Sequence, residues 1–361
     1  MADRVRLGIV GTSGWAEMLY FGMLRDFPEA EIVAVCGRSG DRLAEVAERY
    51  GIANTHSDYR ELFARTDLDA VAIVVPDDLH KGMALAAIER GLHLLCEKPL
   101  ANSAGDAREM LDAANTADVS HMVMFTWRWQ PHFQYVRSLV EQGKFGRIYR
   151  TQLSFITNFA HDDKYQWRLD PKRANGVTGD LGSHLFDLSR WLFGEEIASL
   201  SADLGTAVPR EAIAGHSAVS GNDFAHTTFR YAGGAQGTAD VTVVSHDGDR
   251  VVQHLLRIEG ENASMELEHI LFGTASGLRI RMFERGGKSE MVDLPEEFYR
   301  GADRTNPLGI YRSEHAGIRR FVSDIRHGRM AQPNFEDGWR AQQLVDAALT
   351  SSRERSWVDV V

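Results

Sequence analysis

Residues 91–100 read Gly-Leu-His-Leu-Leu-Cys-Glu-Lys-Pro-Leu, an apolar run that ends abruptly in Glu97, Lys98 and Pro99. A short, β-rich apolar run of this kind predicts a buried strand. A lysine at the carboxyl end of such a strand lies where open α/β sheets bind their ligands. Burying its charge is costly unless a partner compensates for it. Lys98 is therefore a candidate ligand-binding group, and the alternative is that Glu97 and Lys98 are solvated charges on a loop.

A second candidate set lies in residues 176–187, where Asp180 and His184 are four positions apart. On a helix, this spacing places both side chains on one face. A carboxylate beside an imidazole orients the ring and raises its basicity, as a general base requires. One alternative is a helix pair that contributes only a few tenths of a kcal/mol. Another is metal ligation by Asp180 and His184, but no third or fourth ligand is evident, so we predict no metal.

The segment after the first predicted strand has the features of a dinucleotide-binding turn. Such turns use glycines for tightness, for close approach of the pyrophosphate and for packing of the next helix. Here serine and alanine occupy the second and third glycine positions, so a tight turn without a ligand is the alternative. The candidate cofactor residues in this segment are Gly11, Thr12, Ser13, Gly14, Trp15 and Ala16.

The end of the second predicted strand bears on the choice of cofactor. NAD-selective sites usually place a carboxylate here to bind the ribose hydroxyls. This chain has Gly37, Arg38 and Ser39 instead, and an arginine can bind a 2′-phosphate with two hydrogen bonds. We therefore favour NADP, with NAD as the alternative, because Arg38 can also be a solvated turn residue. Two further loops at this sheet edge add Val75, Pro76, His80, Glu97 and Lys98 to the candidate cofactor residues.

Strands and helices alternate through the first third of the chain and must position these residues. Strands separated by helical segments indicate a parallel, doubly wound sheet, so we assign residues 1–126 to a dinucleotide-binding α/β Rossmann domain. The predicted strands are 4–10, 30–36, 70–75, 91–98 and 121–125, and the predicted helices are 15–26, 40–50, 59–64, 78–90 and 103–117.

After residue 126 the pattern changes to a long strand, an amphipathic helix and several strands separated by glycine-containing turns. This order is typical of a large, mostly antiparallel open sheet, so we assign 127–334 to an α+β substrate and oligomerisation domain. A C-terminal helix and tail, 335–361, close the structure. The predicted strands are 145–159, several within 198–267, and a pair around 278–282 and 290–293; the predicted helices are 179–193, 311–327 and 337–353.

The second sheet also suggests assembly. A large sheet with helices on one face leaves the other face in need of cover, so we expect a homo-oligomer, either a dimer or a tetramer. Alternating apolar residues such as Ala239, Val241 and Val243 would form the exposed face.

Composition and length limit the number of domains, the kinds of partner and the cellular location. The chain has 361 residues, 43% of them hydrophobic and 25% charged, which is typical of a globular protein, and its length predicts two domains. The net charge of −11 argues against a nucleic-acid partner or a membrane surface.

The two cysteines, Cys36 and Cys96, lie in separate apolar strands, which argues against a disulfide framework and favours a reducing cytoplasm. The early first strand leaves no room for a signal peptide, and no apolar run has the length of a membrane span.

These motifs together resemble the glucose–fructose oxidoreductase/inositol dehydrogenase (Gfo/Idh/MocA) family over nearly the whole chain. The specific elements are the lysine–proline motif at a strand end and the Asp/His helix downstream. The matching segments are Glu97-Lys98-Pro99, Asp180-x-x-x-His184, Val75-Pro76 before His80, Trp127-Arg128-Trp129-x-Pro131 and Asp337-Gly338-Trp339-Arg340-Ala341.

The resemblance implies a Rossmann domain followed by a domain with a large open sheet, with the active site between them. It implies hydride transfer between a nicotinamide cofactor and a carbon of a sugar, cyclitol or related polyol. Lys98 would bind the reacting oxygen, His184 would accept the proton, and Asp180 would orient His184 or bind a neighbouring hydroxyl. A cis peptide between Lys98 and Pro99 is also implied. These roles agree with the chemistry, because alcohol oxidation needs a base and benefits from a cation beside the developing alkoxide.

Aromatic residues and arginines supply further candidates for substrate binding. Aromatic rings stack on sugar faces, and arginines bind hydroxyls or carboxylates. For each of them, ordinary core or surface packing is the alternative. The candidates are Trp127, Arg128, Phe159, His161, Tyr165, Trp167 and Arg168.

Three functions remain open at this point. The favoured one is a sugar or polyol dehydrogenase or reductase that exchanges its cofactor. The second is a carbohydrate oxidoreductase that keeps its cofactor bound while it oxidises one substrate and reduces another. The third is a cofactor-binding sensor without turnover, against which the presence of Lys98, Asp180 and His184 argues.

Overall fold

A computed structural model describes residues 4–210, 221–287 and 289–360. The chain divides into two compact units. The first unit comprises residues 1–129 and 301–339, and the second comprises residues 130–300 and 340–361. Among the described residues, no helix is both long enough and apolar enough to cross a membrane.

The first unit contains a six-stranded parallel sheet, which confirms the predicted Rossmann architecture. The two central strands consist almost entirely of buried apolar residues, as expected for strands covered on both faces. The strands are β1 (Val5–Val10), β2 (Ala30–Cys36), β3 (Thr55–His56), β4 (Ala70–Ile73), β5 (His93–Cys96) and β6 (His121–Val123), in the spatial order β3-β2-β1-β4-β5-β6.

Two helices of the first unit begin at a serine whose side chain caps them. Ser13 accepts a hydrogen bond from the Ala16 backbone N–H, and Ser103 does the same for Asp106. The first helix, residues 14–24, contains a wider π-helical turn at Glu17–Phe21. The other helices and turns before residue 130 are Gly40–Tyr50, Tyr59–Phe63, the 3₁₀ turn Asp77–Leu79, His80–Glu89, Ala104–Thr116 and the 3₁₀ turn Thr126–Trp129.

Residues 301–339 pack with the first unit, whereas the sequence analysis placed most of them in the second domain. The helix Gly317–Arg326 inserts Ile318, Phe321 and Val322 into the apolar core of the first unit. Arg319 Nε donates a hydrogen bond to the backbone oxygen of Met23 at 2.6 Å. The predicted helix 311–327 is divided into a 3₁₀ turn, Gly309–Arg312, and the helix Gly317–Arg326.

Within its described residues, the second unit contains a nine-stranded sheet in which all strand pairs are antiparallel except β7 and β10. This confirms the predicted large, mostly antiparallel sheet. The strands are β7 (Ile148–Ile156), β8 (Ile197–Gly205), β9 (Phe224–Tyr231), β10 (Gln236–Thr242), β11 (Val251–Gly260), β12 (Ala263–Phe272), β13 (Gly277–Glu284), β14 (Ser289–Met291) and β15 (Val358–Asp359), in the order β14-β13-β12-β11-β7-β10-β9-β8-β15.

Helices cover one face of this sheet. The helix Pro131–Glu141, which the sequence analysis did not predict, packs against residues 178–193, and these in turn pack against β7 and β10. Residues 178–193 form a π-helical turn, Thr178–Gly182, that continues as the helix Ser183–Phe193. The remaining elements are the 3₁₀ turns Trp167–Leu169 and Glu296–Tyr299 and the C-terminal helix Phe335–Glu354.

The expectation that Ala239, Val241 and Val243 form an exposed oligomerisation face is wrong. Their side chains are 3%, 5% and 0% exposed, because β10 turns them towards the helical layer that begins at Thr178. The opposite face of the sheet carries charged side chains, and there Arg257 pairs with both Glu259 and Glu266.

Candidate active site

The turn after β1 has a backbone that only glycine fits at its first position. Gly11 has a φ of +125° and donates its N–H to the backbone oxygen of Cys36 at 2.9 Å. A Cβ at this position would lie 2.1 Å from the backbone oxygen of Val74. The chain can therefore pass from β1 directly into the helix 14–24. The first N–H groups of that helix have no partner within the helix, and such an N-terminus binds phosphate groups.

The second predicted cofactor segment lies beside this turn. Gly37 lies against the side chain of Thr12, and a Cβ added at Gly37 would be 2.8 Å from Cγ2 of Thr12. Arg38 and Ser39 are exposed. Arg42, which the sequence analysis missed, donates its Nε–H to the Thr12 backbone oxygen at 3.0 Å. A glycine turn, a helix N-terminus and an exposed arginine at the ends of neighbouring strands fit a dinucleotide.

Glu97 links the glycine turn to the end of β5. Its side chain is only 6% exposed, and one carboxylate oxygen accepts hydrogen bonds from Trp15 Nε1–H and Tyr20 O–H, both at 2.7 Å. Burial and the neighbouring Glu97 charge raise the pKa of Tyr20 well above its ordinary value. Trp15, predicted as a cofactor residue, thus contacts Glu97 through its side chain, and Tyr20 is a supporting residue that sequence reasoning missed.

His80 joins the loop after β4 to the loop after β5. One ring nitrogen lies 2.9 Å from the backbone oxygen of Val75, and the other lies 2.9 Å from that of Pro99. A neutral imidazole has a single N–H, so both bonds form together only when the ring is protonated. Burial alone would lower the pKa of His80, but its electrostatic interaction and hydrogen bond with Cys96, together with the two carbonyl groups, raise it to about 9.

Lys98 follows Glu97 directly and is partly exposed. Its backbone N–H donates to the other Glu97 carboxylate oxygen at 3.2 Å, and the Lys98–Pro99 peptide is cis, as expected. Two candidate substrate residues also belong to this unit. Trp127 is buried, and the buried Arg128 donates to a carboxylate oxygen of Asp337 at 2.7 Å. Arg128 therefore has a structural ion pair within the first unit.

In the second unit, Asp180 and His184 are both buried, with 8% and 4% of their surfaces exposed. Asp180 lies in the π-helical turn Thr178–Gly182, and His184 lies in the first turn of the helix that follows. Arg168 Nε is 3.4 Å from a carboxylate oxygen of Asp180. Both residues are buried, and an arginine lies close to one of them. An ordinary residue pair on the surface of a helix would be exposed. π-Helical turns of this kind are frequent at functional sites.

Asn222 holds the start of this helix in place. Its side-chain oxygen accepts hydrogen bonds from the Thr178 backbone N–H at 2.9 Å and from the Thr178 hydroxyl at 2.8 Å. Its side-chain N–H donates to the backbone oxygen of Asn175 at 3.1 Å. Sequence reasoning missed Asn222, because its distance from Thr178 along the chain gives no signal of contact.

The remaining candidates lie in the second unit. Arg168 stacks on Trp167 at 4.4 Å from the ring centre, close to Asp180. Tyr165 donates its hydroxyl to Asp170 at 3.0 Å, which gives it a structural contact. The other two, Phe159 and His161, are exposed. The structure thus brings Trp167, Arg168, Asp180 and His184 into one region of the second unit.

Comparison with known proteins gives a consistent result over most of the chain. Residues 5–125 match the family model "Oxidoreductase family, NAD-binding Rossmann fold", and residues 133–266 match "GFO/IDH/MocA C-terminal domain". Levoglucosan dehydrogenase of Pseudarthrobacter phenanthrenivorans is 27% identical, with 99% of this chain and 98% of that protein covered. Myo-inositol 2-dehydrogenase of Thermotoga maritima is 27% identical, with 97% of each covered.

Solved structures give the same result. A levoglucosan dehydrogenase in complex with NADH and L-sorbose superimposes with a TM-score of 0.87 at 26% identity, covering 99% of both chains. An oxidoreductase domain protein from Kribbella flavida gives the same TM-score and identity over 100% of both chains.

The fold, the glycine turn and the matched relatives define an NAD(P)-dependent dehydrogenase that acts on CH–OH groups. The chain belongs to the Gfo/Idh/MocA family of oxidoreductases, which confirms the resemblance drawn from its motifs.

The raised pKa of His80 predicts that stability depends on pH. Its pKa of about 9 in the folded protein exceeds the value of about 6.5 for an unperturbed imidazole, so the folded state binds the extra proton between these values. The stabilisation is fully present below about pH 6.5 and is lost as the pH rises through about 9. We expect the free energy of urea unfolding to fall across this window by up to about 1.4 kcal/mol per pH unit in the wild type. The slope should be smaller in His80→Gln.

The matched control is His93→Gln, because burial lowers the pKa of His93, so this ring gains no proton on folding in that window. This control should retain the wild-type slope. An identical slope in the wild type and in His80→Gln would contradict the assignment of a buried imidazolium.

Proposed function

We propose that this dehydrogenase transfers hydride between a nicotinamide cofactor and a hydroxyl-bearing carbon of a sugar, cyclitol or related polyol. The observation that carries the proposal is the buried pair of Asp180 and His184 with Arg168 beside it. The names of its relatives support the substrate class, since these are dehydrogenases of levoglucosan, D-apiose and myo-inositol.

The proposed mechanism assigns one task to each residue. In the oxidising direction, a ring nitrogen of His184 accepts the proton of the substrate hydroxyl, and Asp180 orients the ring and stabilises its charged form. The ammonium group of Lys98 stabilises the negative charge that develops on the reacting oxygen. The nicotinamide, when bound, supplies the hydride acceptor. In the reducing direction, the same His184 nitrogen returns the proton.

Trp167 and Arg168 are the best-supported substrate contacts. Their stack presents an aromatic ring and a guanidinium side by side, and Arg168 is also within ion-pair distance of Asp180. An aromatic face suits the apolar side of a sugar ring, and a guanidinium suits its hydroxyl or carboxylate groups. Phe159 and His161 remain further proposals for substrate binding.

The first test is a search for the substrate, followed by active-site variants. A spectrophotometric screen of sugars, cyclitols and keto-sugars with both NAD and NADP identifies the substrate. On that substrate we expect His184→Ala to lower kcat by roughly 10²–10⁴, the usual contribution of a positioned general base. Lys98→Ala should also lower kcat. Asp180→Asn should both lower kcat and move the pH profile, because it removes the charge beside the base.

Cofactor binding, measured by fluorescence titration with NADH and NADPH, should survive His184→Ala, because His184 is not part of the glycine turn. The matched control is His226→Ala, an exposed histidine on β9 that pairs with Asp240; it should keep wild-type kcat. Near-full activity of His184→Ala would overturn the assignment of the base. If cofactor co-purifies and resists dialysis, the two-substrate cycle with retained cofactor becomes the preferred function.

We propose NADP as the preferred cofactor, with NAD also accepted. Arg38 is exposed at the end of β2 and supports this choice, and one relative, 33% identical over 195 residues, is named an NADP-dependent D-xylose 1-dehydrogenase. Arg38→Ala should raise KM for NADP more than KM for NAD, because a 2′-phosphate is the group that an arginine here would bind. Equal effects on the two cofactors would contradict this role.

We further propose a homo-oligomer, a dimer or tetramer, that uses the outer face of the second sheet. Support comes from Leu255 and Met291, which remain 37% and 57% exposed. A monomer by light scattering at micromolar concentration would exclude this oligomer.

The cytoplasmic location inferred from the two cysteines also stays a prediction. Both cysteines are buried free thiols.

A further inference from the structure

Three histidines from separate elements meet under the helical layer of the second unit. His254 on β11 and His269 on β12 are directly paired across the two strands. His132 lies in the first turn of the helix Pro131–Glu141. One ring nitrogen of each histidine lies within 4.8 Å of those of the other two. We call these three residues the histidine cluster; it is the one such grouping of metal-binding side-chain atoms within residues 4–210, 221–287 and 289–360.

The cluster contains nitrogen atoms that the protein leaves unsatisfied. His132 is 2% exposed, and neither its Nε2 nor Nδ1 of His269 has a hydrogen-bond partner in the part of the chain that the structure describes. Leaving a buried polar atom without a partner costs about 1–3 kcal/mol. A phenylalanine or leucine at these positions would fill the core without leaving a buried polar atom unsatisfied.

Burial disfavours protonation of the three rings. Burial lowers the pKa of His132 and of His254 well below the ordinary imidazole value, and it lowers that of His269 to about 4. The rings lie against one another, with 4.2 Å between the ring centres of His132 and His269. Phe133 and Phe155 pack against the ring of His254 at 5.6 and 4.5 Å. Neutral imidazole is the form that coordinates a metal ion.

We propose that the histidine cluster is a binding site for a divalent first-row metal ion, with Zn²⁺ as the best fit. Imidazole nitrogens suit Zn²⁺, Ni²⁺ and Cu²⁺, whereas Mg²⁺ and Ca²⁺ require oxygen ligands that the cluster does not supply. Zn–N bonds of about 2.0–2.1 Å in a tetrahedral arrangement place the ligand nitrogens roughly 3.4 Å apart. Small ring movements would therefore close the present separation. The partly exposed side of His269 leaves the fourth position to water or a small anion.

The bound ion would stabilise the second unit and would not take part in hydride transfer. It would link the helix Pro131–Glu141 to two adjacent strands of the sheet. The ring of Phe155 lies between the cluster and the proposed base, 4.5 Å from His254 and 6.2 Å from His184. The prediction of no metal considered only Asp180 and His184, and the proposed site uses neither residue.

The test measures metal binding by the full-length chain after removal of metal with a chelator and dialysis. Zn²⁺ is titrated in competition with a chromophoric chelator, and Co²⁺ is used as a spectroscopic probe of four-coordinate geometry. We expect one Zn²⁺ per chain, the visible absorption of tetrahedral Co²⁺, and a higher unfolding temperature with Zn²⁺ than without it. His269→Gln and His254→Phe should each weaken Zn²⁺ binding by more than about tenfold and remove the thermal shift.

The matched controls are His226→Ala and His246→Ala, which alter exposed histidines elsewhere on the second unit and should leave Zn²⁺ binding unchanged. His254→Phe retains an aromatic ring beside Phe155, so loss of binding in that variant reports on the lost nitrogen atoms. A wild-type chain that binds no Zn²⁺ would overturn the proposal whatever the variants do. Zn²⁺ binding that survives His269→Gln but is lost in His246→Ala would also overturn the proposal. That result would assign the ion to the exposed pair of His161 and His246.

Discussion

A carboxylate inside a protein must be surrounded by hydrogen-bond donors, because an uncompensated buried charge costs several kcal/mol. Glu97 meets this requirement through Trp15 and Tyr20, and both donors lie in the helix that follows the glycine turn. The bonds therefore attach the end of β5, and with it Lys98, to the segment that fits a pyrophosphate. His80 completes the arrangement by bonding the loops after β4 and β5.

The consequence is that three loops at the carboxyl edge of the parallel sheet form one connected network. Trp15, Tyr20 and His80 supply the hydrogen bonds of this network. Their work is to fix where the backbone of Gly11 and the side chain of Lys98 lie, and small errors in such positions are costly for catalysis. A cationic His80 suits this task better than a neutral one, because only the imidazolium satisfies both carbonyl groups.

In the second unit, two residues from neighbouring segments hold the helix of Asp180 and His184 in place. Asn222 precedes β9 and binds the first turn of their helix. Arg168, from a 3₁₀ turn, approaches Asp180 from outside that helix. The helix also covers the inner face of the sheet, where the histidine cluster replaces part of the apolar core. The helix that carries Asp180 and His184 thus also packs against the sheet.

The amino-acid sequence determined a large part of this description. Local patterns predicted the strand 30–36 and the helix 40–50 with the same bounds as in the structure. They could do so because hydrophobic periodicity and turn residues are visible within a few neighbouring positions. The motifs at Lys98, Asp180 and His184 identified the family and the class of enzyme for the same reason: each is a short segment with a fixed spacing.

Only the tertiary structure decided what depends on residues far apart in the chain. Alternation along β10 indicated an apolar face at Ala239 and Val241, but it could not indicate that the helix at 178–193 would cover it. The packing of Phe321 with the first unit and the meeting of His132 with two strand histidines have the same origin. Contacts of this kind arise when separate elements bury their apolar surfaces together, and the periodicity of a single element carries no information about its partner.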